Sequence, residues 1–270
     1  MNTLPTLDVI IPCYNACDTL QRAVQSVLSQ SACRQLILVD DGSTDDTWSL
    51  ICQLQTANPD KIIALQMPKN GGAAMARNWG VLHSQADLVA FLDADDAYQI
   101  GALDKIPEIF AFMPQLSVVR LNLVPIDLHT RYHTHPDFAA AWDIVQMTGA
   151  GNTIFNKAIF LACGGFPTDT LFRRLGGEDG ALGVALAEST MVGTLFEPTH
   201  RGVLNYCRDG MHAQRLLDAY LFDQTDSKIS DDDLAAAHTV SERIKRQLAS
   251  IRPVLANEQI GRKPLIITYQ

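Results

Sequence analysis

Apolar runs of strand length recur through the first 124 residues, and three of them stop abruptly in polar, mostly acidic clusters. Leu7–Ile11 leads into Pro12–Asn15, Leu36–Val39 into Asp40–Asp45, and Leu88–Leu92 into Asp93–Asp96. Lys61–Gln66 and Ser117–Val124 read as two further strands. Between the runs, apolar residues return at helical spacing: Leu20, Ala23, Val24, Val27 and Leu28, then Trp48, Ile51 and Leu54. Strands that are apolar along their whole length, alternating with helices, predict an α/β fold with a mainly parallel, twisted sheet covered on both faces. Right-handed crossovers bring the carboxyl ends of such strands to one edge, where ligands gather. The polar clusters fall at those ends.

Several classes are disfavoured. With 21 Lys and Arg against 30 Asp and Glu the formal net charge is -9, which argues against a nucleic-acid partner. No GxGxxG follows the first strand, and no GxxxxGK[ST] occurs, so neither a dinucleotide fingerprint nor a P-loop is present. The six cysteines form no CxxC pair and suit a reducing compartment better than a disulfide framework. MNTLPTLD has no basic region followed by an apolar run, and no apolar stretch approaches the roughly 20 residues that span a bilayer. The expected location is cytoplasmic, with peripheral membrane contact left open.

The clusters suggest chemistry. Pro12 stops the first strand, Tyr14 could lie beside a base, and Asn15 could cap the next helix. In VDDGSTDDT, Asp41 could accept hydrogen bonds from a ribose hydroxyl or a base N–H, Gly42 permits a tight turn, and Ser43 with Asp46 approximates a capping box. In LDADD, Asp93 and Asp95 would share a side if the strand continued, and they would repel one another without a cation or a proton between them. Oxygen-rich ligation suits Mg²⁺ or Mn²⁺. Asp95 is the expected protein ligand, Asp93 faces a ribose or a metal-bound water, and Asp96 caps the next helix. In NGGAAMARNWG, Gly71 and Gly72 allow close backbone approach, and Arg77 could reach a phosphate or hold an acidic loop.

Taken in order, VIIPCYN, VDDGSTDDT, NGGAAMARNWG, LDADD, GNTIFNKAIFLACGGF and GGEDGAL resemble family 2 glycosyltransferases over about residues 7–212. The resemblance implies a GT-A nucleotide-diphospho-sugar transferase fold and transfer of a sugar from a nucleoside-diphosphate donor, with inversion and a divalent metal. It makes Asp179 the general base, Glu178 an acceptor-side residue, Asp41 the base-associated carboxylate, and Asp93 and Asp95 the ribose and metal positions. UDP-sugar is the default donor. The acceptor is a carbohydrate, a lipid-linked molecule or a protein, and bacterial surface-polysaccharide synthesis is the expected setting. YCRDGMH offers His212 to the metal or the diphosphate, with His200 as the competing candidate; His129, His133 and His135 do not establish a zinc site. Two rivals stand beside this reading: a metal-dependent nucleotidyltransferase, and a non-catalytic carbohydrate-binding or assembly protein on the same fold.

The expected organisation is a catalytic domain over residues 1–215, with the donor site mainly in 7–100 and the acceptor region mainly in 125–215. A helical extension over 216–270 follows. Its central helix, from Asp231 through Leu248, reads as a packed amphipathic helix. Residues 125–150 read as loop-rich, Asn152–Phe155 and Val192–Phe196 as short strands, and Ala181–Glu188 as a helix.

Overall fold

The structure, a computed structural model, describes residues 3–224, 229–255 and 259–267. The first half runs β1 (Leu7–Cys13), α1 (Leu20–Leu28), β2 (Cys33–Asp40), α2 (Thr47–Ala57), β3 (Ile62–Gln66), α3 (Ala73–His83), β4 (Leu88–Phe91), β5 (Ala97–Tyr98), α4 (Ile106–Phe112), β6 (Leu116–Leu121) and β7 (Leu123–Ile126). The second half runs α5 (Thr130–His133), α6 (Phe138–Thr148), β8 (Thr153–Asn156), α7 (Lys157–Ala162), α8 (Thr170–Leu175), α9 (Glu178–Ser189), β9 (Met191–Leu195), β10 (Val203–Tyr206), α10 (His212–Phe222), α11 (Asp231–Leu255) and β11 (Gly261–Pro264).

Eight strands form the central sheet in the order β11-β9-β6-β8-β4-β1-β2-β3. Its pairs are parallel except those of β8, which runs antiparallel to both β4 and β6. Period-two alternation sorts the strand residues between the faces. Val9, Ile11, Leu36, Leu38 and Ala90 join one core; Ile10, Ile37, Val39, Val89 and Phe91 join the other. Each fully buried Ile, Leu or Phe contributes about 1.5–3 kcal/mol, which explains why these strands are apolar along their whole length. The small-residue helix α3 lies close on the second face: a methyl on Gly80 would stand 2.6 Å from Ile10 Cγ2.

Five local expectations change. Pro12 does not stop β1, which runs on to Cys13 with Pro12 opposite Val39 of β2. The run read as one strand over 117–124 divides at Asn122, whose carbonyl accepts from Val203 N–H. β6 stays in the central sheet while β7 pairs with β10 in a separate sheet ordered β5-β10-β7. The supposedly loop-rich stretch contains α6, which buries Ala141, Trp142 and Val145; Trp142 Nε1 donates to Leu123 O at 2.8 Å. Asn15 caps no helix: at φ +48° its Oδ1 accepts from Thr44 N–H at 2.8 Å, and α1 starts five residues later. Nor does Ser43 cap α2, which begins at Thr47; Ser43 Oγ accepts from Asn15 N–H, and Asp45 takes Thr47 N–H. Pro107 sits in the first turn of α4, where its missing N–H costs no helical hydrogen bond.

Beyond residue 215 the described residues pack on the same body. The expected boundary falls within α10. In α11, Val240, Ile244 and Leu248 are buried and Ser241 Oγ donates to Ala181 O of α9, while β11 extends the central sheet beside β9. Among the described residues no helix is long and apolar enough to cross a membrane.

Candidate active site

A cavity of about 550 Å³ opens where β1, β2 and β4 end. Its lining includes Pro12, Tyr14, Asn15, Asp41, Arg77, Asp93, Asp95, Asp179 and His212. These residues come from separate stretches of chain, and each was singled out in the sequence. Glu178 joins them through Arg77, whose Nη1 lies 3.3 Å from Glu178 Oε1.

At one end, the exits of β1 and β2 are stitched together by Asn15 N–H to Ser43 Oγ at 3.0 Å and Thr44 N–H to Asn15 Oδ1 at 2.8 Å. Between Asp41 and Ser43 the chain turns at Gly42, at φ +70°, where a side chain would collide with Asn70 N at 2.7 Å. Asp41 is buried, and its two carboxylate oxygens accept from Gly71 N–H at 2.6 Å and Gly72 N–H at 2.8 Å. Burial pushes its pKa up while those amides pull the other way. Asp41 therefore fixes the start of α3, and only its remaining lone pairs are open to a ligand. Tyr14 stands exposed at the rim.

The acidic centre follows β4. Residues 93–96 form a turn closed by Asp96 N–H to Asp93 O at 3.1 Å, so Asp93 and Asp95 do not share a side as consecutive positions of a strand would. The turn, not the pleat, delivers both to the cavity. Asp93 Oδ1 pairs with Arg77 Nη2 at 2.6 Å, and Asp95 Oδ2 with Arg208 Nη2 at 2.9 Å. Burial raises the pKa of Asp95, and the charge of Asp93 adds to the shift. Asp96 caps no helix. It is buried and accepts from Asn205 Nδ2 at 2.9 Å and Tyr206 N–H at 3.0 Å, tying the turn to β10. Burial, then the charges of Asp93 and Asp95, push its pKa up to about 8.

Among the described residues no three His, Cys, Asp or Glu side chains converge into a metal site. The donor set nevertheless fits a hard cation shared with a substrate, since Mg²⁺ characteristically takes one or two carboxylates together with phosphate oxygens and water. Asp95 meets that description: it is a largely desolvated carboxylate beside a second acid, offset by Arg208, a backbone hydrogen bond and Arg22. His212 opens α10 at the cavity wall, with its pKa held down by burial, Asp179 opposing and Arg215 adding to the shift. His200 lies elsewhere; it is buried and its Nε2 accepts from Ile267 N–H at 3.3 Å. His129 accepts Arg131 N–H, the His133 ring lies tilted against Phe138, and His135 accepts Asp137 N–H.

Across the cavity, α9 begins after Gly176 and Gly177, at φ +73° and +90°. Glu178 turns to Arg77 while Asp179 faces the opening, so the adjacent acids diverge. Burial raises the Glu178 pKa, and Asp179's charge raises it further. Burial works against the charge of Arg77, but Asp93, Glu178 and Asp179 more than offset it, and its pKa rises. Arg77 thus ties the acidic turn after β4 to the start of α9.

Sequence reasoning missed Arg22, Arg208 and the wall at 149–152. Arg22 lies 3.5 Å above the Tyr206 ring and donates to Asp95 O. Gly151 lets that wall press on the acidic turn: a methyl there would stand 2.9 Å from Asp93 Oδ2. Signals existed for Arg208, which lies in the YCRDGMH stretch, and for Gly151 and Asn152, which open GNTIFNKAIFLACGGF.

The glycosyl transferase family 2 profile matches residues 8–168. The chain belongs to this family. An uncharacterized glycosyltransferase of Nostoc sp. is 42% identical over 105 residues, covering 38% of this chain and 32% of the relative. The UDP-Glc:alpha-D-GlcNAc-diphosphoundecaprenol beta-1,3-glucosyltransferase WfaP of Escherichia coli is 38% identical over 91 residues, covering 33% and 35%. The chain spans less than half the length of the curated relatives it matches. Among solved structures, S. aureus TarS in complex with UDP superposes with a TM-score of 0.58 at 16% identity, over 93% of this chain and 72% of that one. Mannosyltransferase PcManGT of Pyrobaculum calidifontis, in complex with GDP-Man and Mn²⁺, gives 0.57 at 20% identity, over 95% and 77%. The family 2 chain thus has the expected GT-A fold, with β8 as the antiparallel member of its sheet.

Proposed function

We propose that this family 2 chain transfers a sugar, with inversion, from a nucleoside-diphosphate donor to an acceptor hydroxyl. The observation that carries the reading is the gathering of Asp41, Asp93, Asp95 and Asp179 in the lining of one cavity. UDP-sugar is the preferred donor, in keeping with the UDP named for TarS and WfaP.

Pro12, Tyr14, Asn15 and Asp41 would frame the nucleoside, with Asp93 at the ribose. Asp95, with His212 of the same cavity lining, would hold Mn²⁺ or Mg²⁺ beside the diphosphate. When bound, the cation neutralises charge growing on the departing diphosphate. Asp179 would take the acceptor's proton as its oxygen attacks the anomeric carbon. The carbon–oxygen bond to the diphosphate breaks on the opposite face, and its electron pair leaves with the nucleoside diphosphate. Arg77 would keep Asp93 and the start of α9 in register, and Glu178 would steady the acceptor side through that contact. The acceptor class is a carbohydrate hydroxyl, free, lipid-linked or protein-borne.

The test is donor turnover over a panel of nucleoside-diphosphate sugars with saccharide, lipid-linked and peptide acceptors in Mn²⁺, comparing the parent with D179N. Sugar transfer that falls at least about a hundredfold in D179N, in the range of a lost general base, supports the reading. Transfer at the parent rate in D179N removes Asp179 from the base role. Nucleotide incorporation with pyrophosphate release, in place of sugar transfer, moves the chain to the nucleotidyltransferase class.

A further inference from the structure

Arg120 lies on β6, behind the cavity wall, and is 2% exposed. Its Nη1 donates to Gln146 O at 3.3 Å and Gly149 O at 2.7 Å, both carbonyls at the end of α6. Among the described residues no carboxylate pairs with it at salt-bridge distance. A buried guanidinium without a carboxylate partner is costly, so its retention needs a physical reason.

The reason lies in α9. A methyl on Gly183 would stand 2.9 Å from Arg120 Nη2, so the guanidinium occupies the space that the missing side chain leaves. Gly183 follows Asp179 by four residues, which puts the two on one helix face, and helical side chains lean toward the N-terminus. The gap at Gly183 therefore opens on the face of α9 that carries Asp179. Burial lowers the Arg120 pKa to about 10, and the Asp179 carboxylate opposes that shift. The same carboxylate acts on Arg77 from α3 and on His212 from α10, and Glu178 is its neighbour on α9.

We propose that Arg120 is a positioning residue for Asp179: seated in the gap at Gly183 and anchored on the Gly149 carbonyl, it fixes the carboxylate of α9 relative to the wall at 149–152. The wall in turn packs on Asp93 through Gly151, so Arg120 would set the acceptor-side acid against the donor end from behind. This role rests on Asp179 being the acceptor-side base, but the coupling of Arg120 to Asp179 can be tested without that assumption.

The experiment is a double-mutant cycle over the parent, R120M, D179N and R120M/D179N, read by thermal unfolding and by turnover of UDP-glucose in Mn²⁺. In unfolding, D179N should lower the midpoint in the parent and lower it less, or not at all, in R120M, with a non-additivity of about 2–4 °C. In turnover, R120M should lower kcat about tenfold with the donor KM within about twofold, add no further loss on D179N, and be partly restored in R120K. Should R120M fail to fold, G183A replaces it in the same cycle, because its methyl displaces the guanidinium from that face of α9. Additive midpoints overturn the coupling, and equal kcat losses in both backgrounds overturn the positioning role. Coupled midpoints with D179N turning over at the parent rate sink the base assignment and leave the coupling standing.

Discussion

Replacing Arg77 by methionine would remove a buried cation that two carboxylates share. The Arg77 side chain is 6% exposed, Glu178 14% and Asp93 38%. Removing one partner of a buried ion pair costs about 3–5 kcal/mol, chiefly through the unpaired charge left behind. Glu178 meets that condition; Asp93 does not, because water and salt reach it and screen its loss. The lower end, about 3 kcal/mol, is therefore the expected cost. With about 2–4 °C per kcal/mol for a chain near this size, the thermal midpoint should fall by about 6–12 °C. The loss also withdraws the charge that opposes the upward shift of the Glu178 pKa. R77K keeps the charge but not the planar fork that reaches two acids, and should recover part of the loss. Calorimetry or circular dichroism melts of the three proteins at pH 7 decide the matter. An R77M midpoint within about 2 °C of the parent would refute the idea that Arg77 holds α9 to the acidic turn.

Three further outcomes follow from particular contacts. G202A should destabilise by more than G80A: its methyl would lie 2.0 Å from the Asn122 carbonyl oxygen, which is backbone, whereas Gly80's would meet the movable Ile10 side chain at 2.6 Å. About 1–3 kcal/mol is expected for G80A, read from urea midpoints, and an equal or smaller loss for G202A would refute the ranking. R243M removes the Asp169 partner that, through a hydrogen bond, holds the Asp169 pKa below 3.8. That depressed acid stabilises the fold above pH 3.8 and loses its contribution as pH falls through its folded-state value. Because both groups are partly exposed, the parent–R243M difference should be under about 1 kcal/mol at pH 7 and shrink below pH 3.8 in urea titrations. D95N should lower donor turnover at least about a hundredfold and abolish its dependence on added Mn²⁺, as removal of a catalytic cation's ligand requires.

Much of the cavity lining at the ends of β1, β2 and β4 was legible because strand ends leave a local trace. A buried run such as Leu36–Val39 must stop where the polar residues of Asp40–Asp45 begin, and in a parallel sheet that stop is also a place in space. The same logic failed one step later: the sequence does not say whether Leu92–Asp96 continues as strand or turns, and the turn reassigns Asp96 from a helix cap to a buried anchor for β10. The split at Asn122 was hidden for a related reason, since β7 finds its partner β10 far along the chain. In α6 the alanines of Phe138–Trp142 thin the apolar stripe, which obscured an 11-residue helix. The arginines were least legible. Arg22 meets Asp95 across 73 residues, and Arg120 answers to a gap left by a glycine on another element; neither leaves a pattern within any short window.

The central claim is that Asp95 and Asp179 face one donor from opposite sides, and crystals grown with UDP and Mn²⁺ test it most directly. Anomalous scattering should place manganese against the Asp95 carboxylate and the diphosphate oxygens, with Asp179 looking onto the space beyond the β-phosphate. Manganese and UDP bound outside this cavity, or Asp179 directed away from the diphosphate, would contradict it.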